Sequence, residues 1–95
     1  MEVLWTEPAQ GDLRSQIEYL VERNPDAARR AQAAIGGAVE SLAEYPHRGR
    51  PGRIEGTREL VVTGFPYLIV YRVRETTIRV LRVLHGSQEW PQRPG

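Results

Sequence analysis

The chain has 95 residues, a formal net charge of +1, thirteen arginines, no lysine and no cysteine. That length supports one small domain with a modest core, and the lack of cysteine excludes disulfides, thiolate metal sites and a cysteine nucleophile. No apolar run approaches a membrane span, and the opening MEVLWTEP lacks the order of a secretory signal, so a cytoplasmic protein with no membrane partner is expected.

Val3-Leu4-Trp5 is a short apolar run and reads as a first strand. Thr6 can cap a helix whose first turn holds Glu7 and Pro8. Ala9, Leu13, Ile17, Leu20 and Val21 recur at helical spacing and define its apolar face. Asn24-Pro25 ends that helix, because proline disfavours helical geometry in the residue before it. Asp26 opens a second helix whose buried side is predicted to be Ala28, Ala31, Ile35, Val39 and Leu42, and Tyr45-Pro46 stops it. Gly36-Gly37 in the middle of this helix costs about 1 kcal/mol each relative to alanine. We read the pair as a close approach of the two helices; a soft spot that bends on partner binding is the alternative. Asp12, Glu18, Glu22, Glu40 and Glu44 read as a solvated acidic face.

His47 to Gly56, HRGRPGRIEG, has too much glycine and proline for regular structure. Arg48, Arg50 and Arg53 make it basic, so it is either a contact for phosphate or an acidic partner, or a soluble connection. It opens a basic half: residues 1–45 carry four arginines against eight acids, residues 46–95 nine against four. A basic surface suits an acidic protein or a phosphate backbone.

Three apolar runs follow, Leu60–Val62, Tyr67–Val73 and Ile78–Leu84, separated by Gly64-Phe65-Pro66 and by residues 74–77. Short connections predict an antiparallel meander. Alternation puts Tyr67, Ile69, Tyr71 and Val73 on the core, and Leu68, Val70 and Arg72 on a mixed face toward solvent or a partner. Trp90 is read as folding back over the sheet end, with a partner anchor as the alternative. Residues 91–95 are expected to form a disordered tail. The whole predicts a single α+β domain over 1–95, with a short strand and a helical hairpin packed on a mainly antiparallel sheet in the order βααβββ.

Few residues could carry chemistry. No serine sits in a nucleophile elbow, His47 and His85 form no metal pair, and no glycine-rich nucleotide loop occurs, so no metal or cofactor is expected. His85 ends the last strand beside Gly86. There it could serve as acid or base in RNA cleavage, with Arg72, Arg79 or Arg82 as the cation. A histidine that bonds the turn is the preferred reading.

Arg58-Glu59-Leu60, the run from Pro66 to Val73, Arg82-Val83-Leu84-His85-Gly86, and Asn24-Pro25 before Ala27-Ala28 together resemble the RelE/ParE superfamily of bacterial toxins. The resemblance covers Val3 to Glu89 and leans to the ParE side. It implies the toxin of a type II toxin–antitoxin module, silenced by a co-encoded antitoxin in a hetero-oligomer. RelE-like members cut messenger RNA on the ribosome; ParE-like members poison DNA gyrase. RNA-cutting members use a middle-strand arginine where this chain has Leu68, and an arginine where it has Gln88, although His85 matches one of their histidines. A leucine cannot hold a phosphorane, and a neutral amide supplies less than a guanidinium. The resemblance therefore implies gyrase binding. A ribosome-dependent endoribonuclease without metal, and an antitoxin-binding module without target activity, are the alternatives. Arg48, Arg50, Arg53, Arg72, Arg79, Arg82, His85 and Trp90 are the expected contacts for target or antitoxin.

Overall fold

A computed structural model describes residues 1–91; the expected tail, apart from Pro91, lies outside the described residues. The elements run β1 (Glu2–Trp5), α1 (Glu7–Arg23), α2 (Pro25–Glu44), β2 (Arg50–Pro51), β3 (Arg58–Val61), β4 (Tyr67–Arg74) and β5 (Thr77–His85). They form the expected α+β arrangement, with one addition. The basic connection contributes the two-residue strand β2, paired with β3 despite its proline and glycines. Pro51 is tolerated because β2 is the outermost strand of the order β1-β5-β4-β3-β2. β1 runs parallel to β5, and every other pair is antiparallel.

Local chemistry sets the helix ends. The Thr6 side chain accepts from the Ala9 amide at 3.3 Å, and Pro8 lies in the first turn. Asn24 alone joins the two helices. Its N–H donates to the Leu20 carbonyl at 2.6 Å, and its side chain accepts from the Ala27 amide at 3.1 Å. One residue thus closes α1 and starts α2, which forces the helices into a hairpin on one face of the sheet.

The buried side of α2 is Ala28, Ala31, Ile35, Val39 and Leu42, as its periodicity predicts. On α1, Leu13, Ile17 and Leu20 pack at the core margin and Ala9 is fully buried, but Val21 is 50% exposed. Tyr67, Ile69 and Tyr71 of β4 meet the helices; Val73 packs at the rim. Val70 corrects the expected mixed face: it points away from the helices yet is fully buried. Its cross-strand partners are Glu59 and Arg82. Glu59 is itself buried under the basic connection. A bulge between Val70 and Tyr71 shifts the β4–β5 register, with Leu81 as the extra residue.

Gly36 and Gly37 are not a close approach, for a methyl at either position would meet nothing within 4 Å. The helices meet elsewhere on their surfaces. Gly36→Ala and Gly37→Ala should therefore each stabilise the fold by about 1 kcal/mol, seen as a higher urea midpoint with an unchanged slope.

Tyr71 fastens the sheet to the end of α2. Its ring is fully buried; its hydroxyl donates to the Pro46 carbonyl at 2.7 Å and accepts from the Gly49 amide at 2.9 Å. Burial pushes the hydroxyl pKa up, so the proton needed for the Pro46 bond stays in place. Gly49 is required here: a Cβ would lie 2.8 Å from the Tyr71 hydroxyl oxygen and 2.8 Å from the Glu59 carbonyl oxygen.

Candidate functional site

Helices cover one side of the sheet and leave the other open. Two grooves form on the open side, at opposite ends of the β4–β5 ladder.

The first groove lies where β4 begins and β5 ends. Leu68 and Leu84 make its apolar floor, and Arg50, Arg53, His85 and Trp90 stand around it. Leu68 and Leu84 are cross-strand partners, so the pleat sends both to the same face. The turn after β5 is latched: the Gly86 amide donates to the Pro66 carbonyl at 2.7 Å, and the His85 amide to the Gln88 side-chain oxygen at 2.7 Å. Gln88 thus closes the turn. His85 Nδ1 accepts from the Ser87 amide at 3.1 Å and lies 2.8 Å from the Ser87 hydroxyl. That places the ring proton on Nε2. The ring stands edge-on to Tyr67, with centroids 5.9 Å apart. This is the turn-bonding histidine that the sequence favoured.

Glu59 orders the cations of this groove. Its side chain is 1% exposed and accepts from Arg50 Nη2 at 3.1 Å and from the Arg53 amide at 3.0 Å. Burial raises its pKa. The Arg53 amide, the Arg50 hydrogen bond and both guanidinium charges outweigh burial and hold it below the ordinary carboxylate value. Arg53 also reaches from Nη1 to the Trp90 carbonyl at 2.9 Å. Trp90 therefore does fold back over the sheet, in the same groove as Leu68 and Leu84.

Asp12 corrects the expected acidic face. It accepts from Arg82 Nε at 2.6 Å, from Arg82 Nη2 at 2.9 Å and from the Val83 amide at 2.9 Å. Its partner amide lies beyond the stretch of β5 that β1 covers, so α1 supplies the missing acceptor. The Arg82 guanidinium is 5.9 Å from the Trp90 ring. Arg48 is separate from both grooves and donates from Nη1 to the Ser41 hydroxyl at 2.7 Å. Sequence reasoning passed over Asp12 and Glu59 as site residues. The only signal was a carboxylate on a strand otherwise bound for burial, Arg58-Glu59-Leu60.

The second groove is lined by Leu4, Arg72, Arg74, Glu75, Arg79 and Leu81 among its residues. Arg72 and Arg79 are direct cross-strand partners. They stand at the far end of the ladder from His85, which pairs with Tyr67. They are therefore not cations for His85, as the sequence allowed, and Arg82 is committed to Asp12. Among the described residues, no group of three or more histidines or carboxylates could hold a metal ion, and no helix is long and apolar enough to cross a membrane.

Residues 3–90 match the family described as the ParE toxin of the type II toxin–antitoxin system parDE. Y4kP of Sinorhizobium fredii is 48% identical over 90 residues, 95% of this chain and 93% of that protein. Toxin RelE2 of Caulobacter vibrioides is 38% identical over 87 residues, 92% of this chain and 97% of that protein. A chain in the solved chromosomal ParDE TA system from P. aeruginosa has a TM-score of 0.80 at 28% identity, covering 90% of this chain and 95% of that one.

Proposed function

Since the chain belongs to the ParE toxin family of type II toxin–antitoxin systems, we propose that it arrests growth by binding DNA gyrase and that a co-encoded antitoxin neutralises it. The solved P. aeruginosa neighbour is part of a toxin–antitoxin system, which supports the antitoxin.

The observation that carries non-catalytic binding is the composition of the groove around His85. Metal-free RNA cleavage needs a base, an acid and a fixed cation on the phosphorane. The middle strand contributes Leu68 there, and Arg50 and Arg53 are already bound to Glu59. His85 spends Nδ1 on its own turn.

One observation favours a second reading, the ribosome-dependent endoribonuclease: Arg50, Arg53 and His85 do share one groove. The name of the C. vibrioides relative, RelE2, points the same way. Supercoiling by purified gyrase and messenger RNA integrity in a translating extract, measured side by side, separate the two. We expect supercoiling to be inhibited, transcripts to stay intact and His85→Gln to leave inhibition unchanged. Cleavage of transcripts, reduced about 10²–10⁴-fold by His85→Gln, would instead establish the nuclease. No growth arrest on expression without the antitoxin would leave only an antitoxin-binding module.

A further inference from the structure

The helix-covered side of the molecule carries a groove of its own, at the seam of the hairpin. Trp5, Leu13 and Ile17 form its apolar floor, their inner sides packed on the core, and Gln32 of α2 completes the lining. Arg14 and Glu18 stand exposed at its rim. They lie one turn apart on α1, yet they form no ion pair with each other or with any other described residue. An acid that follows its basic neighbour along a helix is the less favourable order for pairing, so both charges remain open to an outside partner. Val21 continues the apolar stripe one turn beyond Ile17 and is 50% exposed. The core does not use this valine, which leaves an apolar strip on the outside of α1 flanked by two unpaired opposite charges.

We infer that this strip is the interface of a weak homodimer, in which a second copy of the chain lays its own α1 antiparallel across the seam. A two-fold axis between antiparallel helices brings the same flank of each copy together. Arg14 of one copy then lies beside Glu18 of the other, and Glu18 beside Arg14, while Ile17 and Val21 of both copies share the middle. The order of the charges selects this occupant. A segment of uniform charge is repelled at either Arg14 or Glu18, whereas a second copy running the opposite way matches both. With 17 residues, α1 is only about 25 Å long. The contact is therefore small against the roughly 1,200–2,000 Å² that stable complexes bury, and a dissociation constant of about 10 µM follows. The pairing uses the side away from both open-face grooves, so it does not rest on the function proposed above and is compatible with it.

Sedimentation equilibrium of the full chain, from about tenfold below to tenfold above that constant, should show a monomer passing into a dimer. Arg14→Glu and Glu18→Arg each set like charges side by side and should raise the dissociation constant about tenfold or more. An equimolar mixture of the two single variants restores opposite charges at both positions and should associate as the wild type does. So should the double variant Arg14→Glu/Glu18→Arg. Chains that had lost their fold could not recover on mixing, so the mixture separates a broken interface from a broken molecule. Arg30→Glu on α2 makes the same change of charge outside the groove and should leave association unchanged. A chain that stays monomeric over the whole range overturns the inference and leaves the seam to a different protein. Association that neither single variant weakens, or that mixing does not recover, overturns it by moving the contact to another surface.

Discussion

Tyr71→Ala should cost about 3–5 kcal/mol of folding stability, because it empties a fully buried aromatic site in the middle strand. Domains of this kind are held by about 5–15 kcal/mol in total, so the variant should be largely unfolded or open to proteolysis near 37 °C. Two contributions are separable. The ring fills the core under the helices, and the hydroxyl satisfies the Pro46 carbonyl and the Gly49 amide. Tyr71→Phe keeps the first and deletes the second. It leaves the buried Gly49 amide and the half-buried Pro46 carbonyl unpaired and should cost about 1–3 kcal/mol. Urea titrations of both variants check this. A Tyr71→Phe midpoint equal to wild type would show that the bonds at Gly49 and Pro46 add nothing to stability. The Tyr71→Phe chain should also show faster amide exchange at Gly49 than wild type, since that N–H loses its acceptor.

Acid should detach the basic connection before it unfolds the rest. Glu59 has a pKa held below the ordinary 4.5 in the folded chain. A carboxyl so depressed adds stability that is fully present above its unfolded value. The contribution disappears as pH falls from about 4.5 through the lower folded value. Glu59→Gln should flatten stability against pH in that window and lower it at neutral pH by about 1–3 kcal/mol. The larger cost of a broken fully buried ion pair does not apply. Arg50 and Arg53 keep 56% and 52% of their side chains exposed, so water can solvate them once the carboxylate is gone. Denaturant midpoints from pH 7 to pH 3, wild type against variant, give the difference directly. Curves that stay parallel across the window would rule out Glu59 as the acid-sensitive group. Trp90 fluorescence should follow the same transition, because Arg53 links Glu59 to the Trp90 carbonyl.

What could be read in the chain was whatever repeats over short distances. The period of α2 named its buried residues, and Asn24-Pro25 gave the joint between the helices. Alternation placed Tyr67, Ile69 and Tyr71 correctly because one face of β4 is uniformly large. The failures have a shared physical cause, which is a partner far away in sequence. Asp12 lies on the flank of α1, and its acceptor role exists only because β5 runs past the end of β1. Val70 reads as half-exposed from its neighbours, but it is fully buried beside its cross-strand partner Glu59, to which the basic connection returns through the Arg53 amide. Gly36 and Gly37 suggest tight contact, yet composition cannot say that the space beside them is open. The site divides in the same way. The sequence picked out the arginines, and only the structure separates those already neutralised from those still available.

The parallel pairing of β1 with β5 ties together the two described strands that lie farthest apart in sequence. A nascent chain must release Thr77–His85 before residues 2–5 find their only strand neighbour among the described residues, so the sheet closes only after the helices and β2–β4 have been made. Prematurely terminated products that stop before Thr77 lack that neighbour altogether. They would keep the helical hairpin without a finished sheet, and a half-made molecule has no completed surface with which to harm the cell producing it.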